Sequence, residues 1–252
     1  MRRGGVRPVT LFLAASVVLV TTTTGCESTQ DKSAKIAAEL GPVKQEEGLK
    51  ITKRSTDVKV VGTTLLTDNS GTAVVVEVHN ESDKDLIEVP LAIDVLDAKG
   101  NSVYRNDIPG IDPALAAVPF IAAGGTVDWV DDQVLATGKP AQVKAVVGAS
   151  DKTFSGPQPK ITVSPPKLEG DPYTGVSAAG EVKNESGEDL QRILLYGVAK
   201  KGNQIVAAGR GAIEHFKAGG KPLAYHIYFI GDPHGAELTV TEFPSLPGQE
   251  QP

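Results

Sequence analysis

The side chains in this chain that could do chemistry are few, and histidine is the first to consider. The sequence contains four histidines: His79, His215, His226 and His234. The segments Glu214-His215 and Asp232-Pro233-His234 could supply metal ligands if their loops met in the fold. Neither segment has the close ligand spacing that is typical of zinc sites. We therefore expect solvated histidines, with no metal and no cofactor.

Acidic and nucleophilic side chains give no better candidate for catalysis. The carboxylates of Asp131-Asp132 and of Glu46-Glu47 are adjacent in sequence. On a strand, adjacent side chains point to opposite faces, so such a pair cannot easily share a proton or a sugar. The sequence also lacks the Gly-x-Ser-x-Gly pattern of a nucleophile elbow. We expect a protein that is not an enzyme.

The densest aromatic group of the chain lies between residues 225 and 229. Tyr225, Ile227 and Phe229 alternate with His226 and Tyr228, which places the two sets on opposite faces of a strand. We expect one set to pack in a core, while the other is a candidate contact for a partner, because exposed aromatic side chains favour protein contacts. The candidate partner contacts are Tyr228, His226 and the only tryptophan, Trp129.

The amino-terminal residues are typical of a secretory signal. Three arginines at positions 2, 3 and 7 precede an apolar run over residues 9–20, which is too short to span a membrane as a helix. The only cysteine, Cys26, directly follows Gly25. Thr-Thr-Gly-Cys at this place resembles the lipobox of bacterial lipoproteins, with Thr23 where that family usually has leucine.

The lipobox resemblance implies that the signal is removed and that Cys26 becomes the lipidated first residue, carrying fatty acids such as palmitate. It also implies attachment to the extracellular face of the membrane of a Gram-positive cell. The alternative is an ordinary secretory signal followed by an incidental cysteine. We favour lipidation, because a free thiol is otherwise unusual in an exported protein.

The charge of the chain argues against nucleic acid as a partner. Removing the first 25 residues takes away three arginines and no acidic residue, which leaves 22 basic and 31 acidic residues and a net charge of −9. No run of basic residues remains, so neither nucleic acid nor an anionic membrane surface is favoured. No cysteine remains for a disulfide either, so the domains need packed cores.

An internal repeat organises the rest of the sequence. Residues 77–86 recur as residues 181–190, at an offset of 104 residues and with seven of ten positions identical. Each copy is predicted to form a strand, a polar turn and a second strand, because apolar residues alternate on both sides of an Asn-Glu-Ser segment. In the second copy Gly197 replaces Ile93, which predicts a bulge or a close backbone approach.

Many short strands, with turn signals about every ten residues, predict an all-β chain of two tandem antiparallel β-sandwich domains. A signal peptide and a flexible tether precede them. The predicted boundaries are residues 1–25 for the signal peptide, 26–48 for the tether, 49–150 for the first sandwich, 151–166 for the linker, 167–243 for the second sandwich and 244–252 for a tail.

The second copy resembles the FxLYD-type domain of bacterial surface lipoproteins. Residues 180–186 carry that family's Gly-x-Val-x-Asn-x-Ser turn. Leu195-Tyr196-Gly197 and Ala218-Gly219-Gly220 carry its Leu-Tyr-Asp-like strand and its late Gly-Gly segment, with glycine in place of aspartate. The first copy departs further, with Ala92 in place of the tyrosine. The resemblance implies immunoglobulin-like sandwiches in a surface lipoprotein and implies no catalytic residue.

The expected function is that of a non-catalytic, lipid-anchored surface protein that binds or supports an envelope partner, either a protein or a cell-wall component. The alternative is an extracytoplasmic ligand-binding or metal-binding component, or an enzyme, with a site between the two sandwiches. In that alternative His215, His226 or His234 would contact the ligand.

Overall fold

The computed structural model describes residues 47–171 and 175–246 of the 252-residue chain. The predicted signal peptide, the lipidation site Cys26, the tether up to residue 46 and the tail from residue 247 lie outside the described residues. The regular elements within the described residues are β-strands and one 3-10 turn, Pro113–Leu115. The all-β fold class predicted from the sequence is confirmed.

The strands follow one another in two groups, called here the first half and the second half. The first half contains β1 (Val58–Thr67), β2 (Thr72–Asn80), β3 (Asp85–Leu96), β4 (Ser102–Arg105), β5 (Ala117–Ile121), β6 (Thr126–Asp131), β7 (Gln142–Val147) and β8 (Thr153–Phe154). The second half contains β9 (Ile161–Val163), β10 (Lys167–Asp171), β11 (Gly175–Asn184), β12 (Leu190–Lys201), β13 (Gln204–Phe216), β14 (Leu223–Tyr228), β15 (Ile230–Gly231) and β16 (Glu237–Pro244).

Each half builds antiparallel sheets, which are named here by their central strands. In the first half, the β2 sheet has the order β1-β2-β6, and the β3 sheet gathers β4, β5, β7 and β8 around β3. In the second half, the β11 sheet has the order β10-β11-β14, with β9 also paired to β11. The β12 sheet has the order β15-β13-β12-β16. Antiparallel sheets with apolar residues between them are consistent with the predicted β-sandwich.

The two halves pair their strands in the same way. β2 and β3 correspond to β11 and β12, while β6 and β7 correspond to β14 and β16. The irregularities also agree, because the register shifts after Val95 in β3 and after Ala199 in β12, which are 104 residues apart. The internal repeat of the sequence is therefore also a repeat of strand pairing.

The repeated Asn-Glu-Ser turn is held by matching hydrogen bonds in both halves. Asn80 Nδ2 donates to Lys84 O at 2.8 Å, and Asn184 Nδ2 donates to Glu188 O at 2.9 Å. Each asparagine Oδ1 accepts from the backbone and the hydroxyl of the serine two residues later. Both asparagines are buried. A buried amide must have its polar atoms bonded, so the turn sequence can change little without destabilising the fold.

At Gly197 the sequence predicts a bulge or a close backbone approach, and the structure shows close packing of side chains instead. A Cβ added there would lie 3.1 Å from Ile227 Cγ2 and 3.3 Å from Phe229 Cε1. The missing side chain makes room for these two core residues. The register shift of β12 lies further along the strand, after Ala199, so Gly197 itself is not at the bulge.

The main difference between the halves is an excursion over residues 106–116. β13 runs along β12 almost from end to end, whereas β4 and β5 share the equivalent place beside β3 and the excursion separates them. Asn106 anchors the excursion, since its buried Nδ2 donates to Leu91 O and to Leu115 O. Its Oδ1 accepts from Ile93 N at 2.7 Å.

The strand β12 is buried on both faces. Ile193 and Leu195 pack in the core of the second half, while Tyr196 and Val198 belong to the core cluster of the first half. A strand covered on both faces needs a continuous apolar sequence rather than an alternating one. In β3 burial alternates along the strand instead, and Asp94 stands there at the position of Val198.

The predicted boundaries need correction in detail. Contacts group the chain from residue 46 onwards into one compact unit. The predicted linker contains β8, which pairs with β3, and β9, which pairs with β11, so the halves adjoin within residues 155–160. The predicted tail is wrong at its start, because β16 continues to Pro244 and Leu246 is buried. The division into two domains stays a prediction.

Candidate functional site

The histidines were the first chemical candidates, and the structure places them on separate surfaces. His234 Nδ1 lies 2.7 Å from Asp232 Oδ1 in an exposed loop, and His215 is exposed on β13. His79 Nδ1 lies 3.0 Å from Thr126 Oγ1. Within residues 47–171 and 175–246, no three histidine, cysteine, aspartate or glutamate side chains lie together as a metal site would require. The metal-binding alternative stays a prediction.

The adjacent carboxylates of Asp131 and Asp132 make two different contacts. This agrees with the prediction that neighbouring side chains on an extended chain point to opposite faces. Asp131 Oδ2 accepts from Tyr104 Oη at 2.8 Å within the first half. Asp132 Oδ2 accepts from the backbone nitrogen of Arg210, in the second half, at 2.8 Å. Burial raises the pKa of both carboxyl groups, and the same cause raises the pKa of the Tyr104 hydroxyl.

The strand β14 has the two faces that the sequence predicts. Tyr225, Ile227 and the neighbouring Phe229 are buried, so their core role is confirmed. On the other face Tyr228 is 61% exposed, and His226 is exposed as well. Their role as partner contacts stays a prediction.

The prediction that Trp129 contacts a partner is wrong. Its side chain is fully buried in the core of the first half, opposite Val76 of β2. The indole Nε1 donates to Ala117 O at 3.0 Å and to Ala114 O at 3.3 Å, which ties β6 to the end of the excursion. A buried indole needs such a partner, and its position excludes it from a surface contact.

Tyr228 and His226 belong to an outer sheet surface, called here the open face. In cross-strand pairing, Tyr228 lies opposite Ser177 and His226 lies opposite Ala179. Ser177 and Ala179 are small and buried, so the longer side chains around them stand out from the sheet. The ring of Tyr228 lies beside Gly175, where an added Cβ would be 3.3 Å from its Cδ1. The open face consists of Lys167, Glu169, Ser177, Ala179, Glu181, Lys183, Ala224, His226 and Tyr228.

The equivalent surface of the first half is covered. Val75 and Glu77 lie 104 residues before Ala179 and Glu181, on the equivalent strand. Val75 is fully buried and shares a core cluster with Tyr196 of β12. β12 and β13 approach β2 and β6 there, so the β12 sheet covers the outer face of the β2 sheet. We call this contact the seam.

Charged contacts surround the apolar seam. Lys200 Nζ lies 2.7 Å from Asp128 Oδ2. Arg192 Nη2 and Arg210 Nη2 lie 3.0 Å and 3.3 Å from Asp112 Oδ2, on the excursion. In these pairs the acids belong to the first half and the cations to the second. This arrangement of opposite charges fixes how the two surfaces match.

Arg210 is the most buried cation of the seam, with 5% of its side chain exposed. Its Nε lies 3.8 Å from Asp132 Oδ1. Burial raises the pKa of Asp112, but hydrogen bonds from Arg192 and Ala114 and the charge of Arg210 outweigh burial and hold that pKa below its ordinary value. This enclosed cluster is suited to holding surfaces together, since a substrate would have to displace the seam to reach it.

A shallow groove of about 640 Å³ lies beside the seam, between β1 and the turn that joins β12 to β13. It is the nearest match to the predicted site between the two halves. General acid–base catalysis needs groups that exchange protons near the working pH. The groove is lined by hydroxyl and amide groups and by one ionisable side chain, that of Lys201, so it offers no pair of groups for acid–base catalysis. The lining residues are Thr63, Thr64, Leu65, Lys201, Asn203, Gln204 and Ile205.

Comparisons with known proteins give no family for this chain, since neither a protein-family model nor a curated protein matches it. Within the part of the chain that the structure describes, no helix has both the length and the apolar character needed to cross a membrane.

Sequence reasoning missed the arginine–carboxylate cluster at the seam. One signal could have found the covered face, because the run Ile193–Ala199 has no charged side chain, whereas its counterpart in β3 is interrupted by Asp94. Such a run is typical of a strand covered on both faces. No spacing in the sequence links Arg210 to Asp112, because the excursion brings Asp112 to the second half.

We predict that Arg210→Ala lowers the free energy of unfolding by about 3–5 kcal/mol, because it leaves buried carboxylates without their cation. Urea denaturation followed by circular dichroism measures the change. Arg105→Ala is the matched control, since that side chain is 54% exposed and forms an ion pair with Asp107. This variant should lose less than about 1 kcal/mol. Equal small losses in both variants would show that the seam does not depend on Arg210.

Proposed function

We propose that this chain is a non-catalytic binding module, held by a lipid on the extracellular face of a cell membrane, that engages an envelope partner through the open face. The observation that carries the proposal is the 61% exposure of Tyr228 on the outer face of the β11 sheet. Tyrosine is enriched at protein interfaces because it combines a large apolar ring with a polar group.

The internal architecture supports a protein as the partner. The equivalent outer face of the first half is bound by protein, namely by the β12 sheet. The same strand pairing thus presents an outer sheet face twice, once covered within the chain and once exposed. An open sheet face suits a protein surface better than it suits a small ligand, which is usually enclosed by a cleft.

The amino-terminal sequence supports the anchoring part of the proposal. The basic start, the apolar run and Cys26 resemble a lipoprotein signal, as does the position of the only cysteine. The resemblance to FxLYD-type domains supports the same location in a Gram-positive envelope. Residues between Cys26 and the first described residue would act as the tether.

A pull-down from intact envelopes tests the contact. Tyr228→Ser should reduce recovery of the bound partner by at least about tenfold, because it removes the exposed aromatic ring of the surface. Leu135→Ser is the matched control, since Leu135 is 84% exposed and lies in the first half, after β6. Equal recovery by the wild type and both variants, at unchanged melting temperature, would contradict a role for the open face.

Intact-mass analysis of the membrane fraction tests the anchor. We expect a mature chain that begins at Cys26 and carries the mass of fatty acyl groups on that residue. Cys26→Ala should abolish the added acyl mass, because this residue is the proposed point of lipid attachment. A mature chain with an unmodified Cys26 would contradict the anchor and leave the contact proposal to its own test.

A further inference from the structure

We infer that residues 48–54 form a strap that covers the outer face of the β3 sheet, and that the strap opens without unfolding of the sheets and thereby exposes an apolar surface. These residues lie where the predicted tether ends and precede β1. The inference goes beyond the proposed function, because it concerns a different face of the molecule and does not depend on a lipid anchor.

The path of the strap follows from the contacts at its two ends. At the amino-terminal end, Gly48 packs against the backbone of Asp107, just after β4, since a Cβ added to Gly48 would overlap Asp107 O. At the other end, Arg54 forms an antiparallel β-bridge with Gly148, just after β7. β4 and β7 pair with opposite edges of β3, so the strap crosses β3 from one edge to the other.

The position of Ile51 shows that the strap lies on the outer face of the β3 sheet. A Cβ added to Gly148 would lie 3.0 Å from Pro90 Cβ and 3.3 Å from Ile51 Cγ1. Pro90 and Ala92 are the strand neighbours of Leu91, which is fully buried in the core, so their side chains point away from the core. Ile51 therefore packs on the face opposite to the core.

The strap itself has one apolar side and one polar side. Leu49 and Ile51 are half-buried, whereas Lys50 and Thr52 between and after them are exposed. In an extended segment, alternate side chains share one side. The strap thus turns its apolar side chains towards the sheet and its polar side chains towards solvent.

The face beneath the strap is the counterpart of a packed surface. Ala92 lies 104 residues before Tyr196, which is buried at the seam. Val146 lies opposite Ala92 and extends the apolar surface onto β7. Further along β3 the face becomes charged, since Asp94 lies opposite Lys144. The strap covers the apolar part of this face in the first half, as the β2 sheet covers the equivalent face of β12 at the seam.

Few interactions hold the strap, so it can open by itself. Ala149 N donates to Lys53 O and Ser55 N donates to Val147 O, each at 2.9 Å. The next element, β1, pairs with β2 along its length and contributes the buried Val58 to the core. Segments with few hydrogen bonds and only half-buried apolar side chains open at a lower free energy than the sheets do.

Hydrogen exchange of the mature chain tests the opening, because two neighbouring amides report on different contacts. Ala149 N bonds to the strap, whereas Gly148 N donates to Pro90 O of β3 at 2.8 Å. We expect the protection factor of Ala149 to be at least about tenfold lower than that of Gly148. Equal protection of both amides, at the level of the β2 amides, would show that the strap opens only when the sheets unfold and would overturn the inference.

Two neighbouring substitutions test what holds the strap in place. Ile51→Asp replaces its apolar contact with a charge and should lower the protection of Ala149 by at least about a further tenfold, while the protection of Gly148 stays unchanged. Thr52→Asp is the matched control, since Thr52 is exposed, and it should leave both amides unchanged. Unchanged protection of Ala149 in Ile51→Asp would overturn the strap contact.

Binding of the dye anilinonaphthalene sulfonate tests the surface that the strap covers. Ile51→Asp should raise the dye fluorescence by at least about threefold over the wild type and over Thr52→Asp, because apolar surface then faces solvent. Adding Ala92→Lys should abolish this rise, since it places a charge in the uncovered surface. Faster exchange at Ala149 with no rise in fluorescence, or a rise that survives Ala92→Lys, would overturn the apolar surface beneath the strap.

Discussion

The contact between the outer face of β12 and the β2 sheet is apolar at its centre and charged around its margin. Tyr196 and Val198 share a buried cluster there with Val75 and Val130. Burying each such side chain contributes on the order of 1.5–3 kcal/mol, whereas a buried ion pair gains little net stability, because the cost of removing its charges from water offsets their attraction. The apolar centre therefore supplies most of the stabilisation, and the charges fix how the two halves match.

This constraint explains how two copies of one strand pattern come to differ. A strand covered on both faces cannot alternate polar and apolar residues, so β12 departs from β3 at Val198, where β3 has Asp94. The excursion, which β13 lacks, reaches across the seam and brings Asp112 to the two arginines. The outer face of the β11 sheet has no such cover within the described chain, and it keeps exposed polar and aromatic side chains.

Periodicity and turn chemistry predicted most of the fold. Alternation over β14 identified its buried face, and the repeated Asn80 and Asn184 turns located the equivalent strands. Alternation over β2 predicted one buried face, whereas Val75 on the other face is buried as well. The candidate surface was predicted for Tyr228 and His226, since strand alternation places them away from the core. Burial of Trp129 was missed, because a single strand position does not tell which face is covered. The seam was missed as well, since ion pairs such as Arg210 with Asp112 join residues distant in sequence.

The central claim is that the seam joins the two halves into one cooperative structure through the outer face of β12. Calorimetric unfolding of the mature chain tests it most directly, with Val198→Asp as the variant that gives β12 the residue of β3. The account predicts one transition for the wild type, with equal calorimetric and van't Hoff enthalpies, and two separate transitions for the variant. Two independent transitions in the wild type, or an unchanged single transition in Val198→Asp, would contradict it.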